Sequence, residues 1–329
     1  MRAILCKAWG GPATLTYEET AAPALAPGQV RFTVHGAGIN FADTLMIAGK
    51  YQEKPPFPFV PGLEAAGIVS EVGAGVTELK LGDRILAYMG HGGYAEEAVV
   101  PEAHAMRIPA KMDLLTAAGF PVAYGTAQLA LAYRAKLKAG ETLLVTGASS
   151  GVGLTAVEVG KAMGATVIAT ASSPEKLEVA RQHGADHTIN YTTENLRERV
   201  KTLTHGKGAD VVYDPVGGDA FDAALRSLAW EGRIIVIGFA SGRIPSVPAN
   251  YVLMKSCSVI GVLWGATARR DPALACAGFS ELFRIYEQGQ LKPFVSRTFP
   301  LERAAEALSL MMERKITGKL VLTTGRSEK

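Results

Sequence analysis

Between Glu141 and Lys176 the chain reads ETLLVTGASSGVGLTAVEVGKAMGATVIATASSPEK. Only small residues and one valine fill Gly147-Ala148-Ser149-Ser150-Gly151-Val152-Gly153, so a ligand can come close to the backbone there. Backbone N–H groups in such a turn, opening a helix, form an anion site suited to a pyrophosphate. Ser149, Gly151 and Val152 are the residues expected against it. An acid about 20 residues further on usually accepts from the ribose hydroxyls of an unphosphorylated dinucleotide. Here the corresponding stretch is Thr170-Ala171-Ser172-Ser173, with no acid, and Lys176 follows one turn later. A carboxylate would repel a ribose phosphate, whereas hydroxyls and a cation welcome one. NADPH is therefore the expected cofactor. Ser173 before Pro174 also reads as a helix cap, with Lys176 in solvent, and the two uses are compatible.

The elements that hold this turn are legible on either side of it. Thr142 to Val145 is a short β-prone run, and Leu154, Val157, Val159 and Met163 recur near helical spacing until Gly164. Thr166 to Ala171 reads as the next strand, and Pro174 to His183 as a capped helix. Further strands are expected at His187–Ile189, Val211–Tyr213, Ile234–Ile237 and Ser258–Ile260, with helices at Glu194–Leu203 and Ala220–Ala229 between them. That alternation predicts an α/β fold with a doubly wound parallel sheet of six strands. Before it, Ala3–Leu5, Val30–Val34, Ala66–Val69, Arg84–Ala87 and Ala95–Val100 read as short strands between Gly/Pro turns, a β-rich, partly barrel-like domain. Leu114 to Ala132 reads as a helical bridge. After Trp264 come a helical stretch, a short strand near Val295, a helix over Leu301–Glu313 and a strand, Gly318-Lys319-Leu320-Val321-Leu322, expected to return to the first domain. Gly325–Lys329 is expected to fray.

Composition narrows the function classes. With 329 residues, 48% of them hydrophobic and 20% charged, the chain has room for two ordinary globular domains. A net charge of +3 without Lys/Arg clusters argues against nucleic-acid or membrane-surface partners. No stretch has the length of a membrane span or the form of a signal peptide. Cys6, Cys257 and Cys276 lie far apart and form no disulfide framework, so the cytoplasm is the expected compartment.

Taken together, GAGINFAD (36–43), PGLEAAGIVSEVGAGV (61–76), LGDRI (81–85), GGYAEEAVVP (92–101), YGTAQLAL (124–131), the glycine turn and the closing GKLVL resemble the zinc-free quinone oxidoreductase group of the medium-chain dehydrogenase/reductase superfamily. The resemblance implies a β-rich GroES-like catalytic domain over 1–122 and 266–329, and a Rossmann domain binding NADP over 123–265. Zinc-dependent relatives carry a Cys in the first of these segments and Gly-His-Glu in the second. Asn40 and Leu63 stand at those positions, with Glu64 alone retained, and Leu81 to Pro101 contains no Cys for a structural zinc lobe. One carboxylate does not make a catalytic zinc site, so no metal is expected. Without a Lewis acid, electron-poor acceptors are the natural substrates. A quinone or an alkene conjugated to a carbonyl takes hydride at carbon while charge spreads to a distant oxygen. The expected reaction is NADPH-dependent reduction of such compounds, with enoyl thioesters and haloacrylates as alternatives within the family.

The resemblance also assigns residues. Asn40 is a contact for substrate or the nicotinamide ribose, or else a turn residue. Asp43 orients water or Asn40, or else caps the stretch after it. Tyr51 matches the family's active-site tyrosine and is a candidate donor to a carbonyl oxygen, although Leu45 stands where many relatives have a further tyrosine. Thr126 is a nicotinamide-side contact, and Ser172, Lys176 and Tyr191 match the adenosine-phosphate pocket. Gly238-Phe239-Ala240, Val262-Leu263-Trp264 and Lys319 complete the expected cofactor contacts. The apolar run Ser258 to Leu263 is expected to be a sheet edge that pairs in a homodimer. Two rivals stand beside this reading. VTGASSGVG with Tyr251-x-x-x-Lys255 and Ser241 also resembles short-chain dehydrogenases, but some 140 residues precede the turn and Tyr251 follows a Gly/Pro-rich loop. A non-catalytic NADPH-binding protein, like the family's crystallin and RNA-binding members, is the second.

Overall fold

β1 (Arg2–Leu5), whose last three residues are apolar and buried, pairs antiparallel with β2 (Thr16–Glu19), the latter unforeseen in the sequence. β3 (Gln29–Ile39) is followed by α1 (Phe41–Ile47), β4 (Glu64–Val72), β5 (Arg84–Tyr88), β6 (Glu97–Pro101) and β7 (Ala105–Arg107). The helical bridge then breaks in two at Gly119-Phe120: α2 (Leu114–Ala118) stops before Pro121, which opens α3 (Pro121–Gln128). Its last turn widens into a π-helix over Leu129–Arg134. The alternating part supplies β8 (Thr142–Val145), α4 (Gly151–Ala162), β9 (Thr166–Ala171), α5 (Pro174–Gln182), β10 (His187–Asn190), α6 (Leu196–Leu203), β11 (Ala209–Asp214), α7 (Gly218–Leu225), β12 (Leu228–Val236), α8 (Ala249–Lys255) and β13 (Ser258–Gly261). α9 (Trp264–Arg270), α10 (Pro272–Glu287), β14 (Val295–Pro300), α11 (Ala304–Met312) and β15 (Lys319–Thr323) close the chain.

This computed structural model describes residues 1–326, so the expected frayed tail lies partly outside the described residues. The chain divides into a first unit of Met1–Val122, Gly265–Phe283 and Pro293–Lys329 and a second of Ala123–Trp264 and Arg284–Lys292. Residues 284–292 pack with the second unit because Ile285 and Leu291 are buried and the Lys292 N–H bonds Glu158 Oε2 at 3.2 Å.

In the first unit a seven-stranded sheet runs β14-β15-β3-β4-β5-β7, with β6 also paired to β3. β15 does return here, antiparallel to β3, pairing Leu320 with Ile39. Phe32, Val34, Ile39, Met46, Ile85 and Leu320 lie in the core beneath it. In the second unit six parallel strands run β10-β9-β8-β11-β12-β13, the doubly wound sheet expected.

Local departures have local causes. α6 starts at Leu196, two residues late, because Asn195 caps it by accepting from the Glu198 N–H at 3.1 Å. α7 ends at Leu225, since Leu228 already pairs with Ala209 in the sheet. The helix expected from Leu301 begins as a 3-10 turn over Leu301–Arg303. Tyr251 lies on α8, a helix of only seven residues that follows the Gly/Pro-rich loop, and Lys255 donates to the Leu228 carbonyl at 3.1 Å.

Candidate active site

In the second unit the glycine turn joins β8 to α4. Gly147 is left-handed (φ 56°), and the Ser150 hydroxyl caps the helix by accepting from the Gly153 N–H at 3.2 Å. A Cβ on Gly153 would sit 2.2 Å from the Gly147 oxygen, so only glycine lets the turn fold onto its own helix. Gly151 and Val152 are half-buried first residues of α4, where N–H groups have no carbonyl within the helix. Ser149 is buried beside them, and the Ala148 N–H bonds the Thr170 carbonyl at 3.0 Å, tying the turn to β9.

Ser172 and Lys176 are half-buried just past the end of β9, with Ser173 accepting from the Lys176 N–H at 3.4 Å as the cap of α5. Tyr191 is exposed just beyond β10, its N–H on the Ala171 carbonyl at 3.3 Å. Gly238-Phe239-Ala240 and Val262-Leu263-Trp264 follow the ends of β12 and β13. The Trp264 indole packs against Gly125, where a Cβ would be 2.5 Å from the ring, so the helix carrying buried Thr126 meets the loop after β13. The turn and these loops lie at the carboxyl ends of parallel strands, the place where such sheets bind ligands.

Two polar features of this unit escaped the sequence. Buried Asp214 ends β11, accepting from the Thr146 hydroxyl and from the Gly217 N–H at 2.9 Å. Burial raises its carboxyl above the ordinary range against these hydrogen bonds. Glu158, buried on α4, accepts from Tyr124 at 2.5 Å and pairs with the His183 ring. Its charge amid the apolar residues of α4 was the available signal.

In the first unit Asn40, Asp43, Glu64 and Lys319 converge with Tyr94. Lys319 Nζ donates to Glu64 Oε1 at 2.6 Å, Asn40 Oδ1 at 2.8 Å and the Ile39 carbonyl at 3.0 Å. Asn40 Nδ2 donates to the same Glu64 oxygen at 2.8 Å, and Glu64 Oε2 accepts from the Val122 N–H at 2.7 Å. Gly38 makes room for this: a Cβ there would stand 2.2 Å from Glu64 Oε1. Asp43 Oδ2 accepts from the Asn40 N–H at 2.8 Å and the Tyr94 hydroxyl at 2.7 Å. Tyr51 is half-buried against the same core. Burial raises its phenol, Glu53 and Asp43 raise it further, and Arg269, paired with Glu53, opposes them.

A family model described as an alcohol dehydrogenase GroES-like domain matches residues 26–110, and one described as a zinc-binding dehydrogenase matches 151–277. Quinone oxidoreductase-like protein 2 homolog of Nematostella vectensis is 44% identical over 98% of this chain and 89% of its own length. The chain belongs to the quinone oxidoreductase-like members of the medium-chain dehydrogenase/reductase superfamily. Quinone oxidoreductase of Pseudomonas aeruginosa is 36% identical over 96% of the chain and 97% of its own. The crystal structure of Escherichia coli quinone oxidoreductase complexed with NADPH matches with a TM-score of 0.90 at 31% identity, covering 98% of this chain and 100% of that one.

Membership makes this chain an oxidoreductase with a GroES-like and a Rossmann domain. The zinc named by the second family model does not fit the residues present. Position 40 is an amide and position 63 a buried leucine, while both Glu64 oxygens are engaged and its charge is met by Lys319. Among the described residues no group of three or more His, Cys, Asp or Glu is placed to hold a metal. No helix among them is long and apolar enough to cross a membrane.

Proposed function

We propose that this oxidoreductase uses NADPH to reduce quinones or the activated C=C of α,β-unsaturated carbonyl compounds. The observation that carries the cofactor is the end of β9, where Ser172, Ser173 and Lys176 stand in place of an acid. The glycine turn fits a pyrophosphate, since Gly153 admits the backbone and the first N–H groups of α4 face no helical carbonyl.

When bound, NADPH supplies a hydride. Ser149, Gly151 and Val152 hold its pyrophosphate, and Ser172, Lys176 and Tyr191 its adenosine phosphate. Thr126 and the loops 238–240 and 262–264 hold the nicotinamide end. Asn40 hydrogen-bonds the acceptor or the nicotinamide ribose. Tyr51 donates to the acceptor oxygen, on which negative charge gathers as the acceptor's carbon takes hydride, and Asp43 orients Asn40 through its backbone N–H. The proton that completes the reduction comes from a hydroxyl or water. The amide at Asn40 and the phenol at Tyr51 support this choice of acceptor, because an unactivated ketone would need stronger polarisation than these two groups provide.

We also propose a homodimer through β13. This strand ends the six-stranded sheet and, among the described residues, pairs on one side only, with Val259 36% exposed. The deciding assay follows NADPH oxidation with 9,10-phenanthrenequinone and 1,4-benzoquinone against buffer, with NADH in parallel. Turnover with NADPH and an activated acceptor is expected. Equal or better turnover with NADH, or none with any activated acceptor, contradicts the proposal.

A further inference from the structure

Lys319 has three N–H donors, and the Glu64 carboxylate, the Asn40 amide oxygen and the Ile39 carbonyl take all three. It is 6% exposed and Glu64 is 0% exposed. A buried ion pair of this kind contributes little net stability, because desolvation offsets the attraction, and an apolar pair of the same volume would fill the space as well. The pair does achieve something an apolar pair cannot. An ammonium only donates and a carboxylate only accepts, so together they fix the Asn40 amide in one orientation. Oδ1 faces Lys319, and Nδ2 faces Glu64. Among the described residues the second Nδ2 proton is met only by the Gly38 carbonyl at 3.5 Å, the edge of hydrogen-bond range.

The geometry points to Lys319 and Glu64 as positioning residues that act through Asn40, holding its amide so that one N–H remains for the ligand. This reading rests on Asn40 being a contact for acceptor or nicotinamide ribose. It reassigns Lys319, since an ammonium with three protein acceptors has no donor left for the cofactor. It also accounts for the fate of a carboxylate retained from a zinc-type motif: its countercharge is an ammonium of the chain itself.

The test is a cycle between Asn40→Ala and the charge-free double variant Lys319→Met/Glu64→Gln, with melting temperature, NADPH affinity by fluorescence, and kcat and KM for 9,10-phenanthrenequinone. The double variant buries no unpaired charge, so it is expected to melt close to the wild type. Its kcat/KM is expected to fall roughly ten- to hundredfold, the effect of losing one charge-assisted hydrogen bond. In the Asn40→Ala background the same two changes should cost nothing further, because the group they position is gone. Wild-type kcat/KM in the double variant overturns the inference, as does an equal loss with and without Asn40. Should the double variant melt too low to assay, Lys319→Gln/Glu64→Gln, which also buries no unpaired charge and keeps a hydrogen-bonding amide at each position, takes its place in the cycle. If Asn40→Ala alone is fully active, the underlying reading of Asn40 fails instead, and the two failures are told apart.

Discussion

Tyr94 donates its hydroxyl to Asp43 Oδ2 at 2.7 Å, and neither side chain has any exposed surface. The Asn40 N–H reaches the same oxygen, while Asp43 Oδ1 has no partner among the described residues. Burial pushes the Asp43 carboxyl up to about 7, against the Tyr94 and Asn40 hydrogen bonds and the Lys319 charge. The folded protein therefore binds a proton here that the unfolded chain releases near pH 4. The stability this group contributes is full below about pH 4 and is lost as pH rises to about 7, by at most roughly 4 kcal/mol. Asp43→Asn keeps an acceptor for Tyr94 and cannot ionise. Its unfolding free energy is expected to fall less than that of the wild type between pH 5 and 8.5, in chemical denaturation at several pH values. Parallel curves would contradict the assignment.

The set at the end of β9 makes a prediction about cofactor choice. Lys176→Ala should raise the KM for NADPH about tenfold and leave that for NADH nearly unchanged, because only the phosphorylated ribose needs the cation. Ser172→Asp places a carboxylate beside the ribose and should shift kcat/KM toward NADH by roughly ten- to hundredfold. Initial rates with both cofactors at one acceptor concentration check both.

Much of the second unit was legible because its signals are local. The glycine turn, the cap at Ser173 and the missing acid all fall within 36 consecutive residues, Glu141 to Lys176, and β8, α4 and β9 follow directly from them. The first unit's polar cluster was legible in its members but not in its wiring. Lys319 and Glu64 are 255 residues apart in sequence, and Asp43 and Tyr94 are 51 apart. Pairing of β15 with β3, and of β3 with β4, brings the first pair together, and no periodicity announces that. Tyr94 carried no signal beyond its place after two glycines. The break between α2 and α3 was marked by Gly119 and Pro121, yet the apolar run around them masked it.

Gly153 offers a sharper test of the turn than any polar residue. An added Cβ, the methyl of alanine, would stand 2.2 Å from the Gly147 oxygen and 3.0 Å from the Ala148 Cα, both backbone atoms that cannot swing aside. Gly153→Ala should therefore lower stability by about 1–3 kcal/mol and weaken NADPH binding by at least tenfold. Gly75→Ala is a useful contrast: its φ of 83° costs backbone strain, but no atom lies within 4 Å of the added carbon and the turn 147–153 is untouched. Titration of NADPH fluorescence against both variants separates a damaged anion site from general destabilisation.

The last expectation concerns β13. Its partner on one side is β12, in register Arg233 to Ser258 through Val236 to Gly261, and it is the terminal strand of the sheet. An open edge with apolar side chains invites pairing with a second copy, and antiparallel pairing about a two-fold axis closes the arrangement at two chains. Leu253 and Met254 on neighbouring α8 are 81% and 62% exposed, apolar surface that a partner would cover. Val259→Lys puts a charge on the edge without touching the core, the device natural edge strands use against pairing. Light scattering at micromolar concentration should give twice the mass of the 34.7 kDa chain for the wild type and the single mass for Val259→Lys. A wild type that scatters as one chain removes the dimer, and a Val259→Lys variant that stays paired moves the interface away from β13.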